Sequence, residues 1–388
     1  MFYHLKKISL PLFAIATLLF NSCEREALLK KKTEIILSCD GTGELTLTDH
    51  REGDDYIVEC ELYFNTGVVR IKEGVNIKFN PGANLVIGPD AALIIEGSAQ
   101  NKVVLSGSVA GASWGGIRVE SDDVRNALNH CIIENAGSIK QFITTVGGST
   151  HEAKSAILAY GRIKFNDVTI NGSGGYGIAI GNAGEIVQFE QCNINNCVSY
   201  PLFFYGANLT PELSFTNSTF TGNNENYIAV YSVSSNKEIE TDITVNESPI
   251  PYLVYNYWSM IANCVIEKGV HMVFNEGSAL STSYNYIQIN GTSASPVKFS
   301  GRKAGPGQWL GVYINSNSVN NIFNYLDIAD AGSEPFTFEP ETANITLGNE
   351  ARLTLNNCTS SNALGCDIFN NYGTLNNQSP LITNICTK

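Results

Sequence analysis

Charge is scarce in this sequence. Asp, Glu, Lys and Arg make up only 16% of its 388 residues, and acids outnumber bases 37 to 24, giving a formal net charge of −13. The bases are scattered and form no stripe, which argues against nucleic acid as a partner. An acidic surface also repels polyanionic glycans unless a metal ion or a basic patch intervenes. Long apolar runs are missing as well. Residues 8–20 form one short run, interrupted by Pro11 and too short for a comfortable membrane span. There is no CxxC pair and no Cys/His zinc spacing, and Cys192 and Cys197 match no recognised zinc site. Phosphate-loop chemistry is absent too. Gly174-Gly175-Tyr176-Gly177 lacks the Lys-Ser/Thr that would follow, so it reads as a turn. What the chain does have is Gly, Asn and β-branched or aromatic residues. Long helices disfavour the first two, turns use them, and strands favour the rest. The composition is that of an all-β protein with many short strands.

The chain also repeats itself. Residues 68–138 align with residues 263–333 at an offset of about 195. Phe79-Asn80 meets Phe274-Asn275, Leu85 meets Leu280, Trp114 meets Trp309, and Ala136-Gly137-Ser138 meets Ala331-Gly332-Ser333. Self-similarity of this kind marks stacked units that share one elongated core. Asp55-Tyr56-Ile57-Val58 resembles Pro251-Tyr252-Leu253-Val254, so unit one is expected over 45–247 and unit two over 248–388 as its continuation. Pro249 and Pro251 mark the seam.

Residues 1–22 read as an export signal, and Phe20-Asn21-Ser22-Cys23 resembles a bacterial lipobox. Cys23 is the expected lipidation site, and residues 23–44 are the expected lipidated tether. That places the protein at the outer membrane or cell surface of a Gram-negative bacterium, held by a lipid anchor. Nine cysteines follow Cys23. An odd number does not describe a disulfide framework, so they are expected to be small buried hydrophobes.

A finer period lies inside the large one. Leu128-Asn129-His130-Cys131-Ile132-Ile133, Phe165-Asn166-Asp167-Val168-Thr169-Ile170, Phe189-Glu190-Gln191-Cys192-Asn193-Ile194 and Phe323-Asn324-Tyr325-Leu326-Asp327-Ile328 share one pattern. A large apolar residue precedes two mostly polar ones, then a small or apolar residue, then Ile two places on. Each reads as a strand bounded by turn residues. Cys131, Val168, Cys192, Ser218, Leu326 and Cys358 are expected to share one column of a stack. Asn129, Asn166, Asn324 and Asn356 are expected to share another, bonded along the column.

With Gly74-Val75-Asn76-Ile77-Lys78-Phe79, Gly82-Ala83-Asn84-Leu85, Trp114-Gly115-Gly116-Ile117 and Ile133-Glu134-Asn135-Ala136-Gly137, the chain resembles exported bacterial lipoproteins of the pectate-lyase-like superfamily. The resemblance covers residues 45–388. It implies a right-handed single-stranded parallel β-helix of roughly a dozen coils, about 60 Å long at the strand spacing.

The resemblance does not supply an active site. Lyases of the superfamily use a Lys or Arg base and acidic residues that hold calcium. Asp54-Asp55 and Asp122-Asp123 are the adjacent acidic pairs, and both read as solvated turns. Arg162-Ile163-Lys164 matches one polygalacturonase element, but the companion elements are not present as a set. Arg162 and Lys164 read as outward strand residues. Glycosidases need two carboxylates across a cleft. The histidines are His4, His50, His130, His151 and His271, and they support no nucleophilic triad. No catalytic residue, metal ligand or cofactor is therefore named. Calcium is the one candidate ion, without a ligand set. Ligand contact is expected from His151, in an insertion over 139–153, and from Trp114 and Trp309 as sugar platforms. A second insertion, over 334–343, interrupts unit two at the equivalent place. The resulting expectation is a non-catalytic surface lipoprotein presenting an elongated face to polysaccharide. The alternatives are a divergent lyase or glycosidase, and a structural or adhesive surface protein.

Overall fold

The computed structural model describes residues 34–388 except 42, 51, 147–148, 182, 207–208, 210–212, 232–238 and 338. Cys23 and the export signal lie outside the described residues. The chain winds into a right-handed parallel β-helix whose strands stack coil on coil. One face of unit one runs Asn76–Phe79, Val103–Gly107, the end of Ala127–Glu134, the end of Arg162–Asn171, Asn193–Asn195 and Thr219–Thr221, each parallel to the next. A second face runs Gly116–Val119, Ser149–Ala159, Tyr176–Ile180, Leu202–Tyr205 and Ile228–Tyr231. Inward side chains from every coil merge into one continuous apolar core.

Register bears out the columns within each unit, but the Leu326 and Cys358 column and the Asn324 and Asn356 column lie on other faces than their unit-one counterparts. Cys131 pairs with Val168, and Asn129 with Asn166. In unit two, Asn324 pairs with Asn356, whose Nδ2 donates to the Asn324 Oδ1 at 2.9 Å. The strand reading needs one correction. His130, Asp167, Gln191, Asn217, Tyr325 and Asn357 all adopt left-handed backbone, with φ between 47° and 54°. The two consecutive polar residues of the pattern are therefore a corner, where the chain turns from one face to the next. Inward positions slip from a spacing of two to three there, as in buried Leu128, Cys131 and Ile133. A second left-handed corner follows at Asn135, Gly172, Asn196, Gly222, Asp330 and Asn362. Few residues tolerate this conformation, and Asn, Asp and Gly dominate the second corner for that reason.

The large repeat is structural. Gly116 and Gly311 occupy equivalent places at φ 104° and 121°, and a Cβ there would lie 2.6 Å from the Ala156 oxygen and 2.7 Å from the Ala343 oxygen. Only glycine fits so close to the next coil. At the seam the ladder continues, because Ile228–Tyr231 pairs with Tyr252–Tyr255. The handover is not between like faces. Tyr252 is the counterpart of Tyr56, whose strand lies on the Asn76–Phe79 face, yet it docks on the Gly116–Val119 face. Unit two is thus set one face around from unit one.

The ends depart from expectation, while both insertions interrupt the coils where expected. Strand pairing begins at Ile35–Ile36, within the segment expected to be tether. Four cysteines form disulfides, Cys39–Cys60 and Cys366–Cys386, which staple the first and last coils. Cys131, Cys192, Cys197, Cys264 and Cys358 are the expected buried thiols. The terminal coils have a neighbour on one side only, so the covalent links sit where the ladder is weakest. The 139–153 insertion is an antiparallel hairpin, Lys140–Val146 against Ser149–Ala159. The 334–343 insertion tucks Phe336 onto Tyr313, with ring centroids 5.0 Å apart, and buries Glu339.

Candidate functional site

Trp114 and Trp309 are not sugar platforms. Both are 0% exposed. Trp114 stacks on Phe79 at 4.0 Å and donates its indole N–H to the Glu134 carbonyl. Trp309 does the same with Phe274, at 3.9 Å, and the Ala329 carbonyl. Each fills a corner of the core and satisfies a backbone acceptor there. His151 lies on the hairpin, its backbone opposite Thr144. The structure thus separates the proposed ligand residues. Two are core, and one is on an arm.

The surface that does stand out was missed. Leu202–Tyr205, Ile228–Tyr231 and Tyr252–Tyr255 are apolar without alternation. Strands of that kind are covered on both sides. Leu202, Phe204, Ile228, Val230, Tyr252 and Val254 point into the core. Between them Phe203, Tyr205, Ala229 and Leu253 point outward and join Leu158, Ala179, Tyr200 and Val273 in a second cluster on the outside of the helix. Register makes this a straight column: Leu158, Ala179, Phe203, Ala229, Leu253, Val273. Fully buried Tyr205 and half-buried Tyr176, Tyr231 and Tyr255 line it. Tyr205, Tyr231 and Tyr255 stack from coil to coil at 5.6 and 5.8 Å, and Tyr176 lies on Phe203 at 4.5 Å. Ala153 of the hairpin packs against the same cluster.

Polar groups close one end. The Tyr200 and Tyr255 hydroxyls lie 2.7 Å apart, and Arg302 Nη1 donates to the Tyr255 hydroxyl at 3.2 Å. Arg302 Nη2 donates to both Glu225 oxygens, at 2.9 and 2.7 Å. At the other end Arg118 pairs with Glu120 at 2.9 Å. Burial pushes the phenols of Tyr176 and Tyr160 up to about 12, and burial together with the Tyr255 contact pushes Tyr200 higher. These hydroxyls are therefore neutral at physiological pH, able to donate and accept. The face offers apolar area, ring edges and hydroxyls. Its bordering carboxylates Glu120 and Glu225 are each held by an arginine, which leaves no acid and base poised across a cleft.

Several charged residues elsewhere have structural partners. Asp55 is fully buried, not a solvated turn. Its carboxylate accepts from the backbone N–H of His50 at 3.1 Å and of Asn76 at 2.9 Å. Asp123 binds Arg125, and outward-facing Arg162 binds Glu185. Lys102, His130 and Asp167 meet at a corner, with His130 Nδ1 and Lys102 Nζ each 2.7 Å from the carboxylate. Burial raises that carboxyl, but the bonds from Lys102 and His130 together hold it below its usual range. The trio sits on a convex edge, and Tyr325 replaces His130 in unit two. Among the described residues no group of three or more His, Cys, Asp or Glu is placed to hold a metal ion. An open depression of about 550 Å³ at the seam, between residues 214–216 and 246–249, presents neither exposed ring nor paired charge.

No curated protein and no solved structure matches the chain. A family model described as "Right handed beta helix region" matches residues 65–244 and 157–295. The match spans more than half the chain and agrees with the coil-on-coil register. The chain belongs to the right-handed β-helix family.

Proposed function

We propose that this protein is a non-catalytic, lipid-anchored surface solenoid that holds a neutral glycan along its tyrosine face. The observation that carries the reading is the second apolar cluster on the outside of the helix, rimmed by Tyr160, Tyr176, Tyr227, Tyr231 and Tyr255. Apolar area beside neutral hydroxyls suits sugars, which present C–H patches and hydroxyls together. A net charge of −13 does not repel an uncharged ligand. Anchoring at Cys23 belongs to the same proposal, and two disulfides favour an oxidising compartment outside the cytosol.

The test is a neutral-glycan array with reducing-end and unsaturated-product assays alongside. Binding is expected without product. Tyr231→Ala removes one ring of the ladder and is expected to weaken binding roughly fivefold, from the ~1 kcal/mol an aromatic contact contributes. Equal binding by Tyr231→Ala and Tyr176→Ala would remove the face from consideration. Turnover of any glycan would overturn the non-catalytic part.

A further inference from the structure

Within the solenoid, lateral strands are bonded on both sides by neighbouring coils. The hairpin departs from this. Lys140–Val146 pairs with Ser149–Ala159 and, among the described residues, with no other strand. A two-stranded ribbon standing off a scaffold is marginal alone, and a third strand or a packed face stabilises it. Natural proteins guard such edges with charge or proline. The two edges here differ in that respect. The outer edge over residues 149–154 carries Glu152 and Lys154, with His151 between them and the tip. The edge over residues 142–146 reads Phe-Ile-Thr-Thr-Val, with no charge and no proline, and is rich in strand-forming residues. Gln141 before it is buried against the solenoid, its amide donating to the Gly115 carbonyl at 3.5 Å. The one guard of the 142–146 edge is an irregularity between Phe142 and Thr144.

We propose that the 142–146 edge pairs antiparallel with the same edge of a second copy of this chain, Thr144 opposite Thr144, joining two hairpins into a four-stranded sheet about a two-fold axis. An edge supplies a row of backbone donors and acceptors, and only an extended strand matches that row. Antiparallel self-pairing satisfies both copies at once and closes, as two-fold interfaces do. Charge permits it. The nearest cation, Lys140, falls at opposite ends of the paired strands, so the two lysines stand at least ~20 Å apart at the rise of a strand, beyond about two screening lengths in physiological salt. The charged 149–154 edge resists the same addition, which limits assembly to a pair instead of a filament. The proposal is independent of the glycan reading, since it uses backbone of the arm and none of the tyrosines.

The experiment is sedimentation equilibrium of the full-length chain in detergent across a wide concentration range, repeated with Thr145→Pro and Thr144→Lys. The first substitution removes a backbone donor, and the second sets like charges facing across the two-fold. A concentration-dependent dimer is expected for the unaltered chain. Both variants are expected to weaken dimerisation at least tenfold while thermal unfolding of the solenoid stays in place. Thr144→Lys alone serves if the proline variant misfolds. A monomer at all concentrations, a dimer indifferent to Thr144→Lys, or growth beyond a dimer would each overturn the proposal.

Discussion

Trp309→Ala separates a structural tryptophan from a binding one. The side chain is fully buried, lies 3.9 Å from Phe274 and donates to the Ala329 carbonyl. Truncating a buried Trp to Ala costs about 3–5 kcal/mol. The orphaned carbonyl accounts for about 1 kcal/mol of that. Trp114→Ala should cost a similar amount, because its stacking and its hydrogen bond are the same. The two sites lie several coils apart, on the order of 30 Å at the strand spacing. Their effects should therefore add to within about 0.5 kcal/mol in the double variant. The assay is urea unfolding followed by far-UV circular dichroism, with glycan binding measured on the same samples below the transition. In a stacked scaffold the damage is felt first in the coils that touch the cavity, so the early part of the transition should move most. Trp309→Phe, which keeps a ring on Phe274, should recover part of the loss. A Trp309→Ala protein that unfolds at the unaltered midpoint but no longer binds glycan would refute this reasoning and restore the platform reading.

Two further outcomes follow from the ends and from one ion cluster. Each disulfide closes a loop of about 20 residues, for which chain entropy gives ~3 kcal/mol; hydrogen exchange after reduction should therefore rise at Ile35–Ile36 and Ile385–Thr387 while Tyr176–Ile180 stays protected, and uniform loosening along the rod would contradict that. The Glu96 carboxyl is held below its usual range, chiefly by the Lys72 hydrogen bond, with burial opposing and Arg70 adding to the effect; a depressed carboxyl stabilises the fold above the unfolded value of about 4.3 and ceases to do so as pH falls through the folded value, so the urea midpoint should drop as pH falls below about 5, and Glu96→Gln should flatten that drop.

The fold was readable because a β-helix writes its period into sequence. Cys131, Val168 and Cys192 could be placed in one column because the same inward position takes a small or branched residue on every coil. The corner before them was harder. His130, Gln191 and Tyr325 are not residues that announce left-handed backbone, and only Asp167, Asn217 and Asn357 at the same position of the repeat do. The disulfides were hidden by arithmetic, since an odd count includes five buried thiols that never pair. Trp114 and Trp309 look alike whether they face sugar or core, and burial alone decides. The tyrosine face did leave a signal. Leu202–Tyr205 and Tyr252–Tyr255 lack polar alternation, and that lack means cover on both sides. It went unread because an apolar strand in a solenoid is first assigned to the core.

That outer face also constrains what a ligand can touch. In the Tyr205, Tyr231 and Tyr255 ladder the rings lie over one another, tilted by 18° and 37° between neighbours. Ring faces within the ladder are therefore occupied by the rings above and below. Tyr205 is fully buried, so what remains for a ligand is the exposed edges of Tyr231 and Tyr255, about 4.8 Å apart at the spacing of the strands. A single flat sugar laid on one exposed ring would gain little there. A polymer running along the helix axis, with hydroxyls recurring at a similar interval, would gain one modest contact at each partly exposed tyrosine of the face. Each such contact exchanges hydrogen bonds with water and is worth about 1 kcal/mol at most. Affinity then comes from the number of tyrosines engaged, as in any multivalent surface. Under the proposed reading, a solenoid whose outer tyrosines are held by stacking would supply that number without ordering new side chains.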